Sequence, residues 1–383
     1  MAFLFFFMIF LILSSYIAYP IILMVMGTFA KKRVLEDESY EPSVSMLIAA
    51  YNEEENIEDK ILNSLELDYP KDKFQIVVVS DGSTDQTDQI VKKYEAQGVK
   101  LFRVEGRVGK TQARNVAVLA DRSDVILFSD ATAMYEKNVV RELVKKLADP
   151  TVGMVSGSLK YFDRQGASMG IATKLYWKYE SFIKSCQGKL YTMTGAVGCI
   201  NAFKRKLYYV LPANIIEDFT EPLMIISQGY RVAYAPNAIS YERTTQKVKQ
   251  EFNMRCRVIR GGMTGFLFAL KSLTLKDHSY ALIQLFFHKV MRWLMPVNLI
   301  LLYLINLAIV AMGEGSFFFS WFFYAQTLFY LVAFLGLFFE AKNKMMKIIL
   351  IPTYFLVVNL ASLKAMYLTL TTKLSPTWET NVY

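Results

Sequence analysis

Three acidic stations punctuate the chain, and each closes a run that reads as a strand or a turn. Ser80-Asp81-Gly82-Ser83-Thr84-Asp85 ends one apolar run, Phe128-Ser129-Asp130-Ala131-Thr132 ends another, and Ile216-Glu217-Asp218 follows a turn. Carboxylates at the carboxyl ends of successive strands in an open α/β sheet converge on one crevice, where such sheets bind ligands. Three acidic stations there suit a nucleotide, a divalent cation and a proton to be accepted. Arg107-Val108-Gly109-Lys110 supplies the opposite charge at the start of a helix. Its glycine lets the backbone approach a ligand, its lysine is a point charge, and a helix N-terminus favours anions.

The elements that must position these residues are legible as periodicity. Val44–Ala50, Gln75–Asp81, Lys100–Val104 and Val125–Asp130 are short apolar runs rich in β-formers, separated by amphipathic stretches at 53–66, 85–96, 109–121 and 136–148. This alternation predicts an α/β fold, a mostly parallel sheet covered on both faces. Asp85 is placed to cap a helix and Asp149-Pro150 to stop one. Asp81 also lies in a string that is turn chemistry in its own right.

The apolar content of the 383 residues is concentrated at the two ends. Residues 3–29 carry no charged side chain and are long enough to span a hydrocarbon core of roughly 30 Å. A signal peptide would show a positive n-region, a shorter apolar core and a small-x-small cleavage site, and these are missing, so a retained anchor is expected. Residues 294–312, 317–339 and 347–371 repeat the signal, which makes about four transmembrane helices. Lys31-Lys32-Arg33 follows the first span, and Lys342, Lys344 and Lys347 separate the third from the fourth. By the positive-inside rule residues 30–293 are cytoplasmic and both termini are outside. Lys364 near the end of the last span is read as snorkelling to the interface. The expected organisation is an anchor at 1–30, a cytoplasmic catalytic domain at 31–248, interfacial amphipathic helices at 249–293, and three spans with a short tail at 294–383. The lipid bilayer is thus a partner, and the plasma (inner) membrane the expected location.

The net charge of +9 does not argue for nucleic acid, because the lysines are dispersed and no recognition motif is present. Attraction to anionic headgroups accounts for it. The three cysteines have no metal-type spacing and two histidines cannot build a histidine-rich site, so any cation is held mainly by oxygen.

Ala49-Ala50-Tyr51-Asn52-Glu53-Glu54, Ser80 to Asp85, Gly109-Lys110, Phe128-Ser129-Asp130 and Glu217-Asp218, taken in this order, resemble the family 2 inverting glycosyltransferases of GT-A fold. The likeness runs over about residues 43–265, and the membrane pattern resembles the polysaccharide-synthase branch that includes hyaluronan, chitin and cellulose synthases. The resemblance implies a GT-A Rossmann-like sheet and a nucleotide-sugar donor, a UDP-sugar. It implies that Asn52, Glu53 and Asp81 line the uracil and ribose pocket, with Lys110 close to the nucleotide. Asp130 opens the family's Asp-x-Asp, which binds the diphosphate through Mg²⁺ or Mn²⁺, hard cations that prefer oxygen. Here Thr132 stands at the second position and brings no charge. Asp218 matches the family base, with Glu217 beside it shaping the site. The small-residue stretch Thr194 to Ala202 matches the floor near the acceptor, and a strand packed closely on a helix explains it equally well. The Gln-x-x-Arg-Trp motif of processive synthases is only partly present: with Arg257 as its arginine, Met254 and Val258 stand at the flanking positions. Arg255, Arg257 and Arg260 remain candidates to neutralise the diphosphate or to meet lipid phosphate.

The expected activity is sugar transfer with inversion to a lipid-linked or growing glycan acceptor. A processive exopolysaccharide synthase with partner subunits for export is the alternative. A sugar nucleotidyltransferase would carry a Gly-rich activation loop after the first strand, where Tyr51-Asn52-Glu53 stands instead. An inactive scaffold or transporter would have no use for Asp81, Asp130 and Asp218 together.

Overall fold

The computed structural model describes residues 1–30, 34–162, 170–243, 248–313, 316–338 and 344–377. The chain opens on α1 (Ala2–Leu13) and α2 (Tyr19–Thr28), which a short π-helical turn joins into one apolar rod of 27 residues. The next four strands are β1 (Val44–Ala50), β2 (Phe74–Asp81), β3 (Val99–Val104) and β4 (Val125–Asp130), within a residue of the positions expected. Between them lie α3 (Ile57–Leu65), α4 (Thr87–Lys92) and α5 (Lys110–Ala120). There follow β5 (Met134–Tyr135), α6 (Val139–Leu147), β6 (Val152–Phe162), α7 (Gly170–Leu190), β7 (Ile200–Lys204), α8 (Glu217–Ser227) and β8 (Arg231–Arg243).

The strands form one sheet in the order β3-β2-β1-β4-β7-β6-β8-β5. β1 runs parallel to both β2 and β4, in a register that pairs Ala50 with Ser80 and Ala49 with Asp130. β7 is antiparallel to β4 and β6, so the sheet is mixed beyond the fourth strand. The first strands are near-continuous apolar runs because both faces are covered. Alternate side chains leave in opposite directions: Met46, Ile48 and Val78 pack with Ile57, Ile61, Leu143 and Leu147, whereas Leu47, Val79 and Phe128 pack with Ala117, Leu223 and Ile225. In α6 the buried positions Val139, Val140, Leu143, Val144 and Leu147 recur at helical spacing and give that helix a single core-facing stripe.

The C-terminal part contains α9 (Val248–Ala269), α10 (Leu275–Leu285), α11 (Met291–Trp293), α12 (Met295–Ala311), α13 (Phe317–Leu335) and α14 (Lys344–Thr371). By length and composition three helices can cross a membrane, Ala2–Thr28, Phe317–Phe338 and Leu350–Thr371. The pair Leu275–Trp293 and Met295–Ala311, bent by 58°, makes a fourth if it is one broken span. Pro296 in the first turn of α12 sits at that break, where its missing N–H costs nothing. Within the stretch read as interfacial, α9 packs one face on protein, while Leu267, Leu275, Ile283 and Phe286 are exposed. A Cβ on Gly261 would lie 1.8 Å from Ile216 Cδ1, and one on Gly265 would lie 2.2 Å from Thr220 Oγ1. These glycines therefore let α9 lie directly on the start of α8, while its Cys256 packs on Ala361 and Ala365 of α14. Lys31, Lys32, Arg33 and Lys342, which carry the topology argument, lie outside the described residues.

Candidate active site

The parallel register brings the ends of β1, β2 and β4 side by side, and the residues that follow them line one cleft of about 250 Å³. Tyr51, Glu53, Asp81, Arg107, Gly109, Lys110, Asp130, Thr132, Glu217 and Asp218 all face it. Asp81 Oδ1 and Oδ2 accept the backbone N–H groups of Val108 (2.8 Å) and Gly109 (2.9 Å). The carboxylate thus shapes the loop that starts α5, and its remaining lone pairs are what it can offer a base. Gly109 has φ +94°, a conformation that glycine adopts without strain. Arg107 lies over the Tyr51 ring, its guanidinium carbon 4.1 Å from the centroid.

A buried charge lattice forms the floor. Asp130 Oδ1 accepts from Lys110 Nζ at 2.7 Å and from Arg114 Nη2 at 2.9 Å. Arg114 Nη1 reaches Glu217 Oε1 at 2.6 Å, Thr111 Oγ1 donates to Glu217 Oε2 at 2.7 Å, and Lys110 Nζ lies 4.0 Å from Glu217. The two adjacent acids of α8 are driven apart. Burial acts to raise Glu217, but Arg114 and Lys110 outweigh it and hold it below the ordinary glutamate value. Burial, then the charge of Glu217, push Asp218 above the ordinary aspartate value. Two adjacent acids thus sit in environments that move them in opposite directions. At Asp130 burial is likewise overcome, by Lys110 and then Arg114, and its carboxyl is held low.

The loop carrying Thr194 to Ala202 does approach the acids. Ala196 N–H donates to the Asp218 carbonyl at 3.1 Å, and a Cβ on Gly198 would sit 3.0 Å from Asp218 Oδ2. On the other side α9 presents Met254, Arg257 and Val258 to the cleft, so the three positions of the partial arginine motif are brought together there. Arg260, one turn further, faces away and donates to the Thr372 carbonyl (2.8 Å) and hydroxyl (2.7 Å). Arg255 is buried against Glu251 at 2.7 Å and Tyr354. Asn52 does not line the cleft either: at φ 53° its Oδ1 accepts the Thr84 N–H at 2.9 Å and braces the loop after β2. Three contributors escaped the sequence reading. Arg114 and Thr111 share the inner side of α5 with Lys110, and the four-residue spacing of Lys110 and Arg114 was the available signal. Thr377 reaches the cleft mouth from the far C-terminus, where Pro376 packs on Gly109, and no local pattern announces that.

For a divalent cation the described residues offer a small donor set. Among the described residues no group of three or more His, Cys, Asp or Glu forms a cage. Asp130 and the hydroxyl of Thr132 nevertheless face the same cleft. One carboxylate and one neutral oxygen fit a cation that takes its other ligands from a diphosphate and water, the usual habit of Mg²⁺-type ions.

The signature of glycosyl transferase family 2 matches residues 45–211. The poly-beta-1,6-N-acetyl-D-glucosamine synthase of Staphylococcus aureus (strain COL) is 27% identical over 271 residues, covering 68% of this chain and 64% of that protein. The chain thus spans under two thirds of the length of these curated relatives. The probable glycosyltransferase YdaM of Bacillus subtilis (strain 168) is 29% identical over 235 residues, 57% of this chain and 55% of that one. Among solved structures, the mannosyltransferase PcManGT from Pyrobaculum calidifontis, in complex with GDP-Man and Mn2+, superposes with a TM-score of 0.71 at 23% identity, covering 94% of this chain and 99% of that one. At that identity the likeness establishes the shared GT-A fold.

Proposed function

We propose that this chain, whose residues 45–211 match the signature of glycosyl transferase family 2, is a membrane-bound glycosyltransferase that transfers a sugar, with inversion, from a nucleotide-sugar donor such as a UDP-sugar. The observation that carries the reading is the single cleft holding Asp81, Lys110, Asp130 and Asp218, with Glu217 held low and Asp218 raised beside it. Glu53 and Asp81 face the nucleoside and Lys110 and Arg257 meet the diphosphate; Asp130 and Thr132 would hold Mg²⁺ or Mn²⁺, which would supply charge to neutralise the leaving diphosphate. Asp218 accepts the acceptor hydroxyl proton as that oxygen attacks the anomeric carbon. The bond from that carbon to the diphosphate breaks on the opposite face. Arg114 touches neither partner and acts by keeping Glu217 ionised and Asp130 aimed.

The product belongs to cell-surface or exopolysaccharide biosynthesis, a reading supported by the likeness to the Staphylococcus aureus synthase. The cleft domain is assigned to the cytoplasm, as the basic residues after the first span require. A reporter fused at Tyr383 is expected outside and one near Asn343 inside; the reverse labelling would overturn this orientation. Chemistry is tested by Asp218→Asn, which keeps the size of the side chain and removes the base. Donor affinity stays near wild type while transfer falls by roughly 10²-fold or more. Full activity in both Asp218→Asn and Glu217→Gln would leave the mechanism without a base.

A further inference from the structure

Asp218 faces two cavities. Besides the donor cleft it lines a second one of about 380 Å³, enclosed by α7, α9, α11 and α14, and Val258 is shared by both. The two spaces therefore meet at the proposed base.

Positive charge is in surplus in this second cavity. Glu180 on α7 is buried, bonded to Arg292, and lies 3.6 Å from Lys289 Nζ and 3.2 Å from His288 Nε2. Lys184, one helical turn after Glu180 and only 7% exposed, has among the described residues no closer hydrogen-bond partner than the Ala196 carbonyl at 3.5 Å. Among the described residues, Nε and Nη2 of Arg292 are buried without a hydrogen-bond partner, the guanidinium lying against the rings of Tyr16 and Tyr179. Arg255 is matched by Glu251. Lys184, Lys289 and Arg292 are then left against Glu180 and Asp218, a surplus of one cation that becomes two when Asp218 takes a proton. Burial and the neighbouring Lys289 push Lys184 down to about 8, the response of a cation short of counter-charge. Buried cations without partners are costly.

Apolar side chains line part of the same cavity. Leu175, Ile351, Phe355 and Val358 line it. The last three belong to α14, within the stretch Leu350–Thr371 that is apolar enough to cross a membrane. The cations and these apolar side chains therefore share one cavity beside a helix that is apolar enough to cross a membrane.

We infer that this cavity takes the acceptor as an anionic lipid, its phosphate between Lys184, Lys289 and Arg292, its hydroxyl-bearing group at Asp218, and its chain leaving past Ile351 and Phe355. The inference rests on the transferase reading, since only that reading gives the shared Asp218 an acceptor to deprotonate. It assigns the acceptor to phosphate-bearing lipids rather than to a neutral polymer.

The test uses the full chain in nanodiscs of zwitterionic lipid, with thermal unfolding as readout, because a ligand that binds only the folded state raises the melting temperature by mass action. The probes are dodecyl phosphate, dodecyl maltoside and inorganic phosphate, each over the same concentration range. Dodecyl phosphate alone is expected to raise the melting temperature. Lys184→Gln and Lys289→Gln should each weaken the affinity read from the concentration dependence of that shift by about tenfold or more, the size of one charge-assisted hydrogen bond, whereas Lys184→Arg and Lys289→Arg should retain it. Lys289 lies at the cavity edge, 23% exposed, so its variant reports even if the Lys184 variant does not fold. Equal stabilisation by dodecyl maltoside would overturn the anionic assignment. Equal stabilisation by inorganic phosphate would reduce the site to a free-anion site, and an undiminished dodecyl phosphate effect in both Gln variants would place the lipid elsewhere. Stabilisation by a UDP-sugar is measured in parallel. Its failure in the wild type counts against the transferase reading, while its persistence in the Gln variants separates the two sites.

Discussion

Arg114→Met isolates the charge lattice beneath the cleft. The guanidinium is 1% exposed and ties together Glu217 (2.6 Å), Asp130 (2.9 Å) and the Ser129 carbonyl (2.9 Å). Methionine keeps an apolar stem against the Phe128 ring, over which the guanidinium carbon sits at 4.3 Å, so packing is largely preserved. Asp130 retains Lys110 at 2.7 Å, but Glu217 is left with a threonine hydroxyl and a lysine 4.0 Å away. Removing one partner of a buried pair costs about 3–5 kcal/mol. Lys110 can shift toward Glu217, so the lower end, ~3 kcal/mol, is expected, or roughly 6–12 °C in melting temperature for a domain of this size. The pH dependence has a defined sign. Glu217 is held below its ordinary value of 4.5, so its pairing stabilises the fold above that pH and is lost as pH falls through the lowered value. The gap between wild type and Arg114→Met is therefore widest near neutrality and narrows under acid. Adding Glu217→Met should recover most of the loss, because both charges are then gone. Thermal unfolding of the three proteins decides the matter. A single-variant loss under about 1 kcal/mol, or a double variant no more stable than the single, refutes the buried-pair argument.

Transfer should fall as pH drops through the raised value of Asp218, since a protonated carboxyl accepts nothing. Glu217→Gln should move that acidic limb to lower pH by removing a negative neighbour, as a pH–rate profile would read out. Asp130→Ala should lose metal-dependent donor affinity by about tenfold or more, and Thr132→Asp should keep or tighten it; calorimetry of donor binding with and without Mn²⁺ distinguishes them. Gly109→Ala would put a Cβ 2.2 Å from the Pro376 carbonyl oxygen at φ +94°, costing about 1–3 kcal/mol. The tail should then lift from the cleft mouth, and trypsin cleavage after Lys373 should quicken.

The local level was open to sequence reading because it depends on neighbours in the chain. Asp81 and Asp130 end their strands where runs of apolar β-formers give way to turn chemistry. In a parallel sheet the strand ends share an edge, so convergence on one cleft follows from topology alone. Terminal hydropathy likewise announced the rod Ala2–Thr28 and the helices beyond Phe317, since twenty apolar residues are a property of composition. Arg257 and Arg260 show where such reading stops. Three residues apart on α9, both stood as candidates to meet a phosphate, yet the first faces the cleft and the second holds the end of α14. That choice is made by Gly261 and Gly265, which fix the rotation of α9 against Ile216 and Thr220. The opposed pKa directions of Glu217 and Asp218 are tertiary for the same reason. Adjacent carboxylates are alike in a string of letters, and only their burial, with Arg114 supplied to Glu217 from another helix, lowers one and raises the other.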